Sequence, residues 1–364
     1  MPGRRSARSA RSTSAPSTVR CSVFRPGAGS PAAPGPPDPS VESRTNMKPF
    51  HPGIAVVTGA GSGIGRGTAK ALAAVGAEVV VADINLDTAQ DAAEEIRRLG
   101  GLAAAYRLDV ADTAALEEFG KQVRSDYGVP DVVVNNAGIL VGGPFLDVPP
   151  ADLRRIIDIN LMAMIHGCRI FGAQMVERGR GGHLVNVASM AAFAAAPYTA
   201  PYSISKYAVK HFSECLRAEL ASHRIGVTAV CPGLIATNLS ATARMSAVLD
   251  EQQSSTTRKT MLKGQALLGM HPDKAGRIIV RAIRRNVAVE PIRLEARISY
   301  PLARWFPGPV RAMMTAVAKP DIHTAIGEYG FLDRVDRLAD RVPFRTGKGV
   351  DNPDNPVTQI EAAR

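Results

Sequence analysis

The sequence predicts an α/β fold: a doubly wound parallel sheet of about seven strands with helices on both faces, in a single domain. Three observations carry that expectation. Short, uninterrupted apolar runs alternate with helical patterns from Ile54 to Pro291, as strands covered on both faces require. The first run ends in a glycine-rich turn that opens a helix. Finally, Gly59, Asp83, Asp109, Asn135, Ser189 and Pro232 all fall at the carboxyl ends of runs, where sheets of this kind bind ligands.

The elements follow in order. Ile54-Ala55-Val56-Val57 is the first strand, and it ends in Thr58-Gly59-Ala60-Gly61-Ser62-Gly63-Ile64-Gly65. Glycines there let backbone approach a pyrophosphate, and the helix that follows offers unpaired N–H groups and a positive dipole end. This is a Rossmann-type arrangement. Val79-Val80-Val81-Ala82 ends in Asp83, eighteen residues after Gly65, a placement suited to the adenosine ribose hydroxyls. An acid there repels a 2′-phosphate, and Ser62 and Ile84 stand where a phosphate-binding variant would want a cation. NAD is therefore favoured over NADP as cofactor.

A helix from Leu86 to Leu99 leads to a strand over Leu102–Leu108, which closes in Asp109-Val110. A helix from Thr113 to Tyr127 leads to Val132-Val133-Val134 and then Asn135-Asn136-Ala137-Gly138. The helix expected over Ala151–Arg178 contains Asn160, and the strand over Leu184–Ala188 delivers Ser189. A helix from Tyr202 to about Ser222 precedes the strand Gly226–Cys231, which closes in Pro232-Gly233. A helix near Asp273–Arg285 and a strand near Ala288–Pro291 complete the seventh unit.

Within this frame Tyr202 and Lys206 stand four apart at the start of a helix, so their side chains share one face. An ammonium beside a phenol favours the phenolate, which predicts a tyrosine pKa lowered from about 10 towards neutrality. Such a phenol serves as a general acid/base near pH 7. Ser189, thirteen residues upstream, is placed to offer a second hydrogen bond to the same substrate oxygen.

The formal charge of +11 belongs to the flanks. Residues 1–46 hold seven basic side chains against two acids and residues 240–364 twenty against thirteen, whereas 47–239 hold seventeen against eighteen. Solvated arms and surface helices account for this better than a nucleic-acid footprint. Residues 1–46 are rich in Arg, Ser and Pro and are expected to be disordered. They read either as a transit peptide or as sequence upstream of a start at Met47, the second being favoured. Cys21, Cys168, Cys215 and Cys231 lack disulfide or metal spacing and predict reduced thiols, no metal site and a cytoplasmic location. No apolar run approaches 18 residues, so no segment is expected to span a bilayer.

Taken together, Thr58-Gly59-x-x-x-Gly63-Ile64-Gly65, Asp109-Val110, Asn135-Asn136-Ala137-Gly138, Asn160, Ser189, Tyr202-x-x-x-Lys206 and Pro232-Gly233-x-x-x-Thr237 resemble the short-chain dehydrogenase/reductase family over about residues 52–291. The resemblance implies an oxidoreductase in which Tyr202 is the acid/base and Lys206 lowers its pKa and bonds the nicotinamide ribose. Ser189 would orient the substrate oxygen, and Asn160 would hold a water linking Lys206 to solvent. Asp109 and Val110 would contact adenine, and Asn136, Ala137 and Gly138 would flank the cofactor. Pro232 and Gly233 would also bind the cofactor, and Ile235 and Thr237 would belong to the segment that holds the carboxamide. It also implies a homodimer or homotetramer built from paired long helices.

The substrate is expected to be a ketone or secondary alcohol. Met190, Phe193, Pro197 and Tyr198, and the loop from Ala137 to Phe145, carry no charge. They either line an apolar site for a lipid, acyl or steroid-like molecule or pack against neighbouring helices. The lid over 238–270 offers Arg244 and Lys259 to an acidic group. From Arg293 basic and aromatic residues mix, as in Arg297, Tyr300, Arg304, Trp305, Phe306 and Arg311. A subunit contact or a flap is favoured there over a membrane contact, because Pro301, Pro307 and Pro309 should break a long amphipathic helix. The stretch from Thr346 is expected to be a loose polar tail. Rival readings are an NADP-dependent ketoreductase, a dinucleotide-sensing regulator without turnover, and a sugar-nucleotide epimerase or dehydratase. The regulator is disfavoured by the retained Tyr202-Lys206 pair and the epimerase by the glycine spacing.

Overall fold

A computed structural model of the chain describes residues 52–194, 196–237, 239, 244–245 and 269–317. The leader over 1–46, Lys259 with most of the lid, and the tail from Thr346 lie outside the described residues. Seven parallel strands form the sheet: β1 (Ile54–Thr58), β2 (Glu78–Asp83), β3 (Leu102–Arg107), β4 (Val132–Asn135), β5 (Gly182–Val187), β6 (Ile225–Pro232) and β7 (Val289–Ile292). Their spatial order is β3-β2-β1-β4-β5-β6-β7. The order reverses beside β1, which opens a crevice between the carboxyl ends of β1 and β4. The expected seven-stranded, doubly wound sheet is the one observed.

Pleating sends alternate residues to opposite faces, and both faces are covered. Val57, Val79 and Val81 pack with Leu72, Ile96 and Ile279 on one side. Val56, Val80 and Leu184 pack with Phe171, Met175 and Val209 on the other. The helices supplying the first layer are α1 (Gly63–Ala73), α2 (Leu86–Arg98) and α6 (Pro272–Arg284). The second layer comes from α3 (Thr113–Asp126), α4 (Pro150–Arg178) and α5 (Ala200–Leu220). By length and composition α4 is apolar enough to cross a membrane, but Phe171 and Met175 are fully buried, so its inner face serves the core.

Two helices interlock. A Cβ on Gly276 of α6 would lie 2.7 Å from the Thr68 backbone nitrogen of α1, so the helices cross at backbone distance. Lys70 of α1 bonds Glu95 at 2.8 Å and Asp273 at 2.9 Å, fixing the register of α1, α2 and α6.

Beyond β7, α7 (Leu294–Trp305) and α8 (Pro307–Val317) continue the chain. The expectation that the prolines interrupt this segment holds in part. Pro301 lies inside α7, and the break falls at Phe306, where Pro307 opens α8. A proline is tolerated in the first turn of a helix because no N–H is required there.

At the amino end of the sheet His183 is buried, with Nε2 2.8 Å from Thr228 Oγ1. That hydroxyl donates to Val287 O at 2.6 Å, so it accepts from the imidazole, which carries its proton on Nε2. Burial pushes the His183 pKa down from 6.5 to about 4. The unfolded chain therefore takes up a proton between those values that the folded chain does not. Stability is complete above about pH 6.5 and declines as the pH falls towards 4, by about 3 kcal/mol in all. Melting temperatures measured across this window should fall less steeply for His183→Gln than for the parent. Parallel slopes would assign acid sensitivity elsewhere.

Candidate active site

The turn after β1 is built for close approach. Gly59 and Gly63 adopt φ of +60° and +52°, conformations that glycine enters without a Cβ penalty. A Cβ on Gly65 would lie 2.5 Å from Asn136 Nδ2 and 2.8 Å from the Gly59 carbonyl carbon. Ser62 is the N-cap of α1, yet its side chain makes no capping bond. The first turn of α1 thus starts without a side-chain cap where Ser62, Gly63 and Ile64 line the crevice. Asp83 is held by Gly61 N at 2.9 Å and Asn85 N at 3.1 Å, one bond to each carboxylate oxygen.

Asn136 does more than flank the crevice. Its Nδ2 donates to Thr58 O and Gly59 O, both at 3.0 Å, and its backbone N–H donates to Thr58 Oγ1 at 3.1 Å. The turn after β4 is thereby clamped to the turn after β1. Thr58 went unassigned in the sequence because a strand-end threonine ordinarily signals only β propensity. Asp109 accepts from Ala111 N at 3.0 Å, and with Val110 it borders the cleft.

The polar cluster lies at the carboxyl ends of β4 and β5. A π-turn over Asp158–Met162 interrupts α4, a device that re-aims side chains near functional sites. Asn160 sits inside it, buried, donating to Ile139 O at 2.9 Å and Ser205 Oγ at 3.1 Å and accepting from Ile139 N at 2.8 Å. The position of a Cβ on Gly138 would be 3.1 Å from Asn160 Oδ1 and 3.3 Å from Lys206 Nζ, so these groups border one small space. Lys206 is buried and donates to Val187 O at 2.8 Å. Burial lowers its pKa to about 8.

Ser189 follows β5 and accepts from Ala191 N at 3.2 Å, and its hydroxyl is the hydrogen-bonding group that acts on the Tyr202 phenol to lower its pKa. The expected fall in the tyrosine pKa is not what the structure shows. Burial raises the Tyr202 pKa above 10.0, and the Ser189 hydrogen bond only offsets it in part. Lys206 Nζ stands 5.9 Å from the Tyr202 ring centroid and is bonded to the Val187 carbonyl. Desolvation of the phenol therefore outweighs it. Cys231, buried beneath Ser189 and raised to about 12 by burial, is a neutral thiol here. Its position directly before Pro232-Gly233 was the available sequence signal.

After β6, Thr237 covers Gly63, 3.1 Å from where its Cβ would lie. Ile235 bridges Met270, with Ala236 N donating to Met270 O at 3.0 Å and Met270 N to Leu234 O at 3.1 Å. Val141–Gly142 also pairs with Arg244–Met245 through backbone.

These parts border one cleft of about 510 Å³. Gly59, Ser62, Gly63, Ile64, Asp83, Asp109 and Val110 line one end. Ser189, Tyr202, Lys206, Pro232, Gly233 and Ile235 line the other, with Asn136, Ala137 and Gly138 between them and Thr237 standing against Gly63. Asn160 and Gly65 stand behind this wall. Of the apolar loop, Met190, Phe193, Pro197 and Tyr198 do not line the cleft. Phe193 turns onto Tyr300 of α7, ring centroids 4.6 Å apart. The apolar wall is Ile139, Leu140, Leu234 and Leu239, and Arg155 of α4 is also exposed to the cleft. Among the described residues no cluster of three His, Cys, Asp or Glu side chains could hold a metal. The glycine-rich turn at Gly59–Gly65, where a Cβ on Gly59 or Gly65 would meet backbone or Asn136, and the fixed Asp83 carboxylate fit a dinucleotide.

The short chain dehydrogenase family model matches residues 53–247. The oxidoreductase EphD of Mycobacterium tuberculosis is 46% identical over 257 residues, 70% of this chain and 43% of EphD. This chain thus corresponds to less than half of that relative. The 1-deoxy-11-beta-hydroxypentalenate dehydrogenase of Streptomyces avermitilis is 39% identical over 190 residues, 52% of this chain and 70% of the relative. A short chain dehydrogenase/reductase from Burkholderia phymatum, solved with NAD, superposes with a TM-score of 0.64 at 24% identity, covering 70% of this chain and 94% of the other. The matched residues contain the whole cleft from the glycine turn through Thr237, and the chain belongs to the short-chain dehydrogenase/reductase family of NAD(P)-binding oxidoreductases.

Proposed function

We propose that this protein interconverts a secondary alcohol and a ketone on a mainly apolar substrate, with Tyr202 exchanging the proton at the substrate oxygen. The observation that carries this reading is the Ser189–Tyr202–Lys206 cluster, set at the far end of the same cleft as the Gly59–Gly65 turn. A nicotinamide cofactor held in this cleft would supply the hydride chemistry. Ser189 holds the substrate oxygen against the phenol. Lys206, fixed by Val187 O, and Asn160, fixed by Ile139, border the space through which a proton reaches solvent. Ile139, Leu140, Leu234 and Leu239 favour an apolar skeleton around the reacting carbon. The relative named for a hydroxypentalenate is consistent with such a substrate. The test is turnover of apolar secondary alcohols by the purified full chain, followed by the absorbance of the reduced cofactor. Failure across steroid, terpenoid and acyl-chain alcohols would reject the apolar assignment.

Asp83 supports NAD over NADP as the cofactor. Its carboxylate is oriented by Gly61 and Asn85 and opposes a second anion at that end of the cleft. kcat/KM is expected to favour NAD by about tenfold or more, one charge repulsion being worth about 1 kcal/mol or somewhat more at short range. Asp83→Asn should narrow the ratio. A preference for NADP in the parent protein would overturn this reading.

A further inference from the structure

We propose that the ridge formed by α7 and α8 docks the protein on an anionic lipid surface. On α7 the apolar side chains Leu294, Ile298, Leu302 and Trp305 recur at helical spacing along one face, and all are exposed. Leu294 is 71% exposed and Trp305 73%. Phe306 at the junction and Met313 and Val317 on α8 extend the patch. So many large apolar groups in contact with water mark an interaction surface.

The charge says what kind of surface. Residues 293–317 carry four arginines, Arg293, Arg297, Arg304 and Arg311, against the single acid Glu295. That acid is turned inward, 3.1 Å from Arg293 Nε and accepting from Leu234 N at 2.9 Å. Arg304 and Arg311 are exposed, and Arg297, 60% exposed, reaches back to Glu290 at 3.4 Å. The patch spans two short helices with a tryptophan and a phenylalanine at their joint. A basic margin around exposed aromatic and aliphatic groups suits the headgroup boundary of an anionic bilayer, which needs no matching groove.

The ridge also adjoins the cleft. Arg293 Nη1 donates to Leu234 O at 2.8 Å, and Leu234 lines the cleft. Tyr300 packs at a tilt against Phe193, just after Ser189. Docking through α7 would set the cleft's rim at the lipid surface, where an apolar alcohol concentrates. The docking rests on the ridge alone and stands whether or not the substrate reading holds.

Trp305 is the only tryptophan in the chain, so its emission reports this patch alone. The full chain is mixed with phosphatidylcholine vesicles and with vesicles holding about 30% phosphatidylglycerol, and emission and co-sedimentation are read together. A blue shift and sedimentation are expected with the anionic vesicles and not with the zwitterionic ones. Arg304→Glu/Arg311→Glu should weaken binding by about tenfold or more. Trp305→Ser/Phe306→Ser, checked for folding by circular dichroism, should no longer sediment. Sedimentation without a blue shift, or undiminished in the Trp305→Ser/Phe306→Ser protein, would place the lipid contact elsewhere and overturn the proposal. So would absence of binding to both vesicles. A blue shift that appears without vesicles and grows with protein concentration would overturn it in favour of a second copy covering the ridge.

Discussion

Tyr202→Phe is expected to lower turnover by about 10³-fold in both directions while leaving cofactor affinity within about twofold, the usual weight of one acid/base group. The substitution removes the phenol oxygen and keeps the ring, which is 8% exposed and packed with Val141 and Ile156. A folding defect is therefore not expected, and stopped-flow cofactor binding separates chemistry from assembly. The pH dependence sharpens the test. Oxidation requires the ionised phenol and reduction the neutral one. Because burial raises the Tyr202 pKa, oxidation should climb with pH through the neutral and alkaline range, and reduction should fall only above the phenol pKa. Ser189 makes the contact that lowers this pKa. Ser189→Ala should move the alkaline limb to higher pH. A limb that moves down, or full activity in Tyr202→Phe, would remove Tyr202 from the role of acid/base.

The second large effect is expected at Gly65→Ala. Its methyl group would press on the Gly59 carbonyl carbon at 2.8 Å and on Asn136 Nδ2 at 2.5 Å, and the first is backbone that cannot swing aside. Relief requires the turn to open. That shifts the first turn of α1 at the crevice and breaks the Asn136 bonds to Thr58 O and Gly59 O. Cofactor binding should weaken by about 100-fold, equivalent to about 3 kcal/mol and to the loss of one or two charge-assisted hydrogen bonds. Isothermal titration on protein of confirmed fold reads this directly. Affinity within threefold of the parent would mean that the cradle tolerates a side chain and that the phosphates sit elsewhere.

Much of this was legible along the chain, for a physical reason. Strands buried on both faces cannot alternate in polarity, so runs such as Val79-Val80-Val81 announce themselves. Polar residues that interrupt such runs at one end, such as Asp83 and Ser189, mark the ligand edge. Other features depend on distance through space. The sign of the Tyr202 shift follows from burial and from the Val187 carbonyl that occupies Lys206, neither of which spacing encodes. Asn160 was legible as a position but not as the centre of a π-turn, because its bonds to Ile139 and Ser205 join three separate elements. Phe193 has the composition of a pocket wall and packs on Tyr300 instead. Its partner arrives more than a hundred residues later in the sequence.

The bridge between Ile235 and Met270 has a consequence for how such a protein diversifies. The chain departs and returns through backbone bonds made by Leu234, Ala236 and Met270, so the intervening stretch is joined to the scaffold at a fixed doorway. Closing a loop costs little more as it lengthens, about 0.6 kcal/mol for each doubling. The length of the stretch can therefore vary at small entropic cost, while Leu239, packed with Tyr202 and Val141, and the pairing of Arg244–Met245 with Val141–Gly142 tie it to the cleft as well.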